Sequence, residues 1–140
     1  MTREVLVTIE GQQKGVEEEP IVTIATGTYH FTNGRHYIQY DERLDENGII
    51  TKNMIKIAPS QVVLSKKFKH SSQMTFDLNE ITQSAYHTPY GDLSLDIETT
   101  SILVDEQPER IEVSMNYILL NNERPISDNS ITITISSTLI

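Results

Sequence analysis

The stretch IEVSMNYIL, residues 111–119, alternates apolar and polar side chains almost without interruption. Residues 131–135, ITITI, repeat the same period of two. Successive side chains of a β-strand point to opposite faces, so this spacing predicts strands with one buried and one solvated face. Apolar residues at the helical spacing of three and four are nearly absent. The sequence therefore predicts an all-β protein.

Short turn sequences divide the chain into strands. Asn33-Gly34 is the strongest of them, because both residues of a type I′ hairpin turn need positive φ. Pro59-Ser60, Asn79-Glu80 and a loop at residues 88–90 are further turn candidates. We predict ten strands, at residues 2–11, 21–32, 35–44, 48–58, 61–69, 72–78, 81–87, 91–104, 109–120 and 129–139.

Turn lengths fix which residues meet across neighbouring strands. A two-residue turn at Asn33-Gly34 places His36 opposite Phe31. Turns at 59–60 and 79–80 place Ile57 opposite Val62 and Phe76 opposite Gln83. From Ile81 onward, a three-residue loop at 88–90 and later turns at Gln107 and Pro125 keep one odd-numbered apolar face throughout.

Such a succession of hairpins predicts an antiparallel up-and-down sheet with one apolar face. A sheet of this many strands curls and closes, which also removes exposed edges. We predict a barrel of eight to ten strands, and a two-sheet sandwich is the alternative.

The chain has 140 residues, a length typical of one domain, which we expect to span residues 1–140. It has no cysteine, which excludes disulfide scaffolds and thiolate metal sites. The net charge of −9 argues against nucleic-acid binding. No apolar run is long enough for a membrane span and no signal peptide is evident, so we expect a cytoplasmic protein with no membrane partner.

Four segments resemble the YwiB-like family of small bacterial proteins of unknown function. They are GTYHFTNGRHYIQYDE (27–42), MTFD (74–77), YHTPYGDLSLDIETTSI (86–102) and NNERPISDNSITITI (121–135). The resemblance implies a barrel of the calycin or lipocalin type and brings no catalytic residues with it.

Catalytic and metal-binding patterns are missing from the sequence. The four histidines form no compact metal signature, no Gly-x-Ser-x-Gly motif occurs, and no glycine-rich loop suits a phosphate. We therefore expect neither an enzyme nor a bound metal or cofactor.

Several polar residues have the inward parity of the predicted barrel, and barrels of this size can hold a small ligand. We predict that an interior site binds a small polar or anionic molecule. Its candidate residues are Tyr29, His36, Lys66, Gln83, His87, Tyr90 and Tyr117. The alternative is a filled interior in which Lys66 reaches outward to solvent.

A second function class is an interaction protein without a ligand. Residues 47–70 carry five lysines and no acid, so the hairpin at 48–69 has a basic surface suited to an acidic partner. Ile118 with Leu120, or Ile102 with Val104, have outward parity and form an apolar stripe that suits a homodimer.

Overall fold

Antiparallel β-strands form the whole regular structure of the computed structural model, which describes residues 1–15, 17–43, 48, 50–67, 71–88 and 91–138. These ranges contain no helix, and hence none long and apolar enough to cross a membrane. The strands are β1 (Glu4–Gln13), β2 (Ile21–Thr32), β3 (Arg35–Arg43), β4 (Ile50–Ile57), β5 (Gln61–Lys67), β6 (Ser71–Asp77), β7 (Thr82–Thr88), β8 (Gly91–Gln107), β9 (Arg110–Asn121) and β10 (Arg124–Ser137).

The strands form one sheet in the order β6-β5-β4-β3-β2-β1-β10-β9-β8-β7. Each strand from β1 to β6 pairs with the next, as does each from β7 to β10, and β1 also pairs with β10 from Val5↔Ser137 to Gln13↔Asn129. This is the predicted all-β up-and-down barrel, so the barrel and not the sandwich is confirmed.

The barrel is nearly closed, and its seam lies between β6 and β7, the two ends of the sheet. Two side-chain hydroxyls bridge the seam. Ser84 Oγ donates to the carbonyl of Gln73 at 3.0 Å, and Thr82 Oγ1 donates to the carbonyl of Thr75. The predicted ladder, with Phe76 opposite Gln83, is therefore wrong.

Two predicted turns have the expected register. Asn33 and Gly34 both have positive φ, 54° and 75°, and Phe31 pairs with His36. Across the turn at 59–60, Ile57 pairs with Val62. The short asparagine side chain tolerates the left-handed conformation and glycine has no Cβ to clash, which is why this dipeptide encodes the hairpin.

The interior is filled mainly by β-branched aliphatic side chains from nearly every strand. The fully buried ones are Val5, Val7, Ile38, Ile55, Ile57, Val62, Phe76, Ile97, Ile111, Val113, Met115, Ile133 and Ile135. Their removal from water is the main stabilising contribution to the fold, at about 25 cal/mol per Å² of apolar surface.

The predicted register between β7 and β8 is wrong by one residue. Thr88 pairs with Gly91 and Ser84 with Leu95, so a two-residue connection replaces the predicted three-residue loop. A shift of one residue exchanges the faces of a strand. Ser84 is consequently buried, whereas Gln83 is exposed.

A β-bulge between Thr99 and Ser101 interrupts the predicted odd-numbered inner face of β8. Beyond the bulge, Ile102 points inward and is 8% exposed, whereas Leu103 is 69% exposed. The prediction that Ile102 and Val104 lie on the outer surface is therefore wrong. Leu120, from the other half of the predicted stripe, is also buried.

The β9–β10 hairpin turns earlier than predicted. Asn122 and Glu123 both have positive φ, and Asn121 pairs with Arg124, so the tip is not at Pro125. Tyr117 pairs with Asn129 instead of the predicted Ile133. This is an even shift, so the predicted inner face of both strands is preserved.

Candidate functional site

One row of paired, inward-facing residues is more polar than the interior rows beside it. The row crosses six strands through Val5, Gly27, Tyr40, Asn53, Lys66 and Ser72. The next row of the same face is almost wholly apolar, with Ile38, Ile55, Leu64 and Met74 following Tyr29. The polar row lines a cleft of about 1130 Å³.

Gly27 brings two walls of the cleft close together. A Cβ at this position would lie 2.6 Å from the carbonyl oxygen of Gln39 and 3.3 Å from the Cβ of Tyr40. A side chain there would push β2 and β3 apart, so glycine is required for this close approach.

Asn53 is 4% exposed and is oriented by the backbone around it. Its Nδ2 donates to the carbonyl of Thr51 at 3.0 Å. Its Oδ1 accepts no hydrogen bond from the described residues, and neither does the buried Oγ1 of Thr51. Each buried polar atom without a hydrogen-bond partner costs about 1–3 kcal/mol. Oδ1 of Asn53 and Oγ1 of Thr51 therefore lower the stability of the fold.

Lys66 lies opposite Asn53 and extends towards solvent, with a side chain that is 57% exposed. Its Nζ lies 3.6 Å from Oε1 of Glu42, whose side chain is 24% exposed. A lysine at an inward position needs a partner, contact with solvent or a bound anion. Lys66 has a partner and also reaches solvent. Because the pair is largely solvated, it contributes little stability and can open readily.

Tyr40 lines the cleft with a side chain that combines an apolar ring and a polar hydroxyl. Burial, followed by the nearby negative charge of Glu42, raises the pKa of its hydroxyl to about 12. The hydroxyl therefore stays protonated at neutral pH and can donate a hydrogen bond to a ligand.

Positive charge is concentrated at the cleft, in contrast to the acidic chain as a whole. Lys52 and Lys67 also line it and pair directly opposite each other across β4 and β5. Like charges in this arrangement repel one another. Asp41 pairs with Lys52 on the other side and offsets one of the two charges.

A second polar group lies on β3 at the opposite side of the apolar core. His36, which is 7% exposed, bonds through Nδ1 to the hydroxyl of Tyr29 at 2.7 Å and through Nε2 to Oε1 of Glu106 at 2.6 Å. Because a carboxylate only accepts, Nε2 is the donor, and Nδ1 of the neutral ring accepts from Tyr29. Burial, followed by the charge of Glu106, raises the pKa of Tyr29.

The sequence analysis did not identify Glu106 as a site residue, because the predicted inner face of β8 did not take the bulge into account. A signal for it does exist. The apolar residues of β8 are odd-numbered up to Ile97, whereas two of the three that follow Ser101, Ile102 and Val104, are even-numbered. One extra residue in a strand, as in a β-bulge, exchanges the faces on which the odd- and even-numbered side chains lie.

The structure separates the predicted site residues instead of gathering them. Lys66 lines the large cleft, and Tyr29 and His36 bond to each other. Tyr117 is buried against Phe76, with ring centroids 4.9 Å apart in an edge-to-face arrangement.

The remaining predicted residues lie on or near β7. Gln83 lines a smaller cleft of about 440 Å³ with Asp96 and Glu123. The side chain of His87 and the whole of Tyr90 lie outside the described residues.

Metal-ligand side chains are not clustered in the part of the chain that the structure describes. No group of three or more His, Asp or Glu side chains is placed to hold a metal ion within the ranges that the structure describes.

Comparison with known proteins points to one family. Residues 7–133 match the family described as "Domain of unknown function (DUF1934)". The fold is similar to the crystal structure of the ywiB protein from Bacillus subtilis, with a TM-score of 0.74 and 22% sequence identity over 96% of this chain and 89% of that one. The predicted resemblance to YwiB is thus confirmed, and a search of curated proteins gave no match.

Proposed function

Because the chain belongs to the DUF1934 family, whose function is unknown, we propose its function from its own geometry: it is a cytoplasmic protein that binds a small polar or anionic molecule in the cleft beside Lys66. Membership of the family indicates the barrel fold, and the fold alone does not determine which ligand is bound.

The observation that carries the proposal is the polar row across the cleft. Beside an almost wholly apolar row, Tyr40, Asn53 and Lys66 lie side by side on three neighbouring strands. Ligand sites in proteins combine an accessible cavity of about 300–1,000 Å³ with a few placed polar groups, and this cleft is at least that large.

The energetics agree with a binding role. A filled barrel would gain stability from apolar residues at positions 51 and 53, yet both residues keep an unpartnered buried oxygen. Lys66 is held only by the loose contact to Glu42, so it can turn to an anionic ligand at little cost.

Thermal-shift and calorimetric titrations test the proposal. We would titrate a panel of phosphorylated and carboxylated small molecules into the purified chain, into Lys66→Ala and into Lys56→Ala. Lys56 is a control on the same strand pair that does not line the cleft. A ligand at one hundred times its dissociation constant adds about 2.7 kcal/mol of stability, enough for a clear rise in melting temperature.

The proposal requires a rise in melting temperature for the unmodified chain and Lys56→Ala, and a smaller one for Lys66→Ala. Shifts that are equal in all three proteins would place binding outside the cleft. If no compound shifts any of them, the cleft is not a ligand site.

A second candidate function, contact with another copy of this chain, is favoured by the first half of β2. β3 pairs with β2 only from Gly27 to Thr32, so residues 21–26 are paired on one edge only, with β1, among the described residues. Ile21 and Ile24 in this segment are 78% and 66% exposed. An exposed apolar edge is a template for strand addition, and an antiparallel pair of such edges is self-complementary.

Analytical ultracentrifugation of the chain and of the double variant Ile21→Ser, Ile24→Ser tests this second candidate. We expect a concentration-dependent dimer that the double variant abolishes. Leu103→Ser is the control, because Leu103 is equally exposed on another strand. A monomer at all concentrations would contradict the candidate.

A further inference from the structure

The cleft has two chemically different parts. Its rim carries the exposed side chains of Lys52, Lys66 and Lys67, which can contact an anion. Its inner wall carries Asn53, whose buried Oδ1 can accept a hydrogen bond, and the carboxylate of Glu42 lies beside Lys66. Each part selects for a different group on a ligand.

The rim alone accounts for an anion. Lys52 and Lys67 repel each other across the strand pair, and only Lys52 has an acidic cross-strand neighbour in Asp41. A phosphate or carboxylate between lysines would relieve this repulsion and form charge-assisted hydrogen bonds.

The inner wall requires more than an anion. Nδ2 of Asn53 donates to the carbonyls of Thr51, at 3.0 Å, and Tyr40, at 3.5 Å, which uses both of its hydrogens, so the amide can offer only its oxygen to a ligand. An acceptor oxygen and a carboxylate repel a second anion, but they satisfy a hydroxyl or ammonium group. A simple anion would leave these acceptors as they are in the free protein.

We infer that the ligand is an anion that also carries hydroxyl or ammonium donors. The donors would reach Asn53 and Glu42 while the anionic group lies among the lysines. In binding, the ligand would replace the single 3.6 Å contact between Lys66 and Glu42 by one interaction with each. This inference rests on the proposed cleft and specifies the class of molecule that it takes.

Matched pairs of compounds provide the test, with calorimetry on the full chain. Glycerol phosphate is compared with methyl phosphate, and glycerate with propionate, because the members of each pair share an anionic group and differ in hydroxyl donors. We expect the hydroxylated member of at least one pair to bind about tenfold more tightly, the effect of one or two good hydrogen bonds. Phosphoethanolamine against methyl phosphate gives the same comparison for an ammonium donor.

Asn53→Leu separates recognition from structure. The substitution keeps the approximate size of the side chain and removes its unpartnered oxygen, so a purely structural side chain predicts a change in stability and unchanged binding. We expect instead that the preference for the donor-bearing compounds decreases while affinity for methyl phosphate or propionate is retained.

Three outcomes are distinguishable. Equal affinity for both members of every pair, lost in Lys66→Ala, would overturn the inference and leave the proposed function standing. No binding by any of these compounds would overturn both. A preference that Asn53→Leu and Asn53→Ser leave intact would also overturn the inference, because the donors would then be recognised elsewhere.

Discussion

His36 on β3 and Glu106 on β8 are joined by a 2.6 Å contact between Nε2 and Oε1. In the order of strands around the barrel, β3 and β8 are five positions apart in either direction. The contact therefore ties together two walls that share no backbone hydrogen bond, and the hydroxyl of Tyr29 extends it to β2.

Removing the Glu106 carboxylate should destabilise the barrel by about 1 kcal/mol, since His36 is buried and would lose the partner of its Nε2. Glu106→Ala should lower the urea midpoint without changing the slope of the transition. Glu98→Ala is the matched control, because Glu98 is an exposed glutamate of the same strand, as Glu106 is, but is not the partner of His36. Equal midpoints for the two variants would show that the cross-barrel contact carries no net energy.

Gly27→Ala should cost about 1–3 kcal/mol, because the new methyl group would meet the fixed carbonyl of Gln39 at 2.6 Å. Gly11→Ala on the neighbouring strand should be close to neutral, since its Cβ would lie 4.0 Å from Ile131 Cγ1, an ordinary contact. Thermal unfolding of both variants measures the difference. A Gly27→Ala protein as stable as Gly11→Ala would mean that β2 and β3 separate freely.

The seam between β6 and β7 should depend on the hydroxyl of Ser84. Ser84→Ala leaves the carbonyl of Gln73 without this donor and should cost about 1 kcal/mol. Amide hydrogen exchange should become faster in β6 and β7 and stay unchanged in β1 and β10. Ser94→Ala, at an exposed position of β8, is the control. Uniformly faster exchange in all strands would indicate global destabilisation and not a local seam.

Stability should fall at high pH because of Tyr40. Its hydroxyl has an ordinary pKa of 10.0 and a pKa of about 12 in the folded chain. The unfolded chain therefore loses this proton first, and stability that is fully present below pH 10 is lost as the pH rises towards 12. In urea titrations across this range, Tyr40→Phe should show a weaker dependence on pH than the unmodified chain. An unchanged dependence would contradict the burial of the hydroxyl.

The barrel could be predicted from sequence because its two main signals are local. Alternation along residues 111–119 and the Asn33-Gly34 turn each depend on a few neighbouring residues. The turn at Asn122-Glu123 is less specific, and Pro125 is a competing turn signal only a few residues away. The predicted register of β9 and β10 is wrong by an even number of residues, so the predicted buried face of both strands is still correct.

The candidate site was less predictable because it depends on distant strands. The bulge after Thr99 turns Glu106 inward, and the one-residue shift in β7 turns Gln83 outward. The pairing of Lys66 with Asn53 was predicted correctly, since it follows from a short, well-defined hairpin, β4–β5. The neighbouring residues Thr51 and Glu42 can be identified only when the cross-strand pairing is known.

The pairing of β1 with β10 has a consequence for how the chain reaches its folded state. Val5 meets Ser137 across a loop of almost the full chain length, so the first strand lacks one of its two neighbours until the last strand is synthesised. Contacts of such long range make folding slow and leave an unpaired edge exposed in the meantime. We therefore expect barrel closure to wait for the synthesis of β10, with the nascent β1 as the segment most exposed to aggregation or to chaperone binding until then.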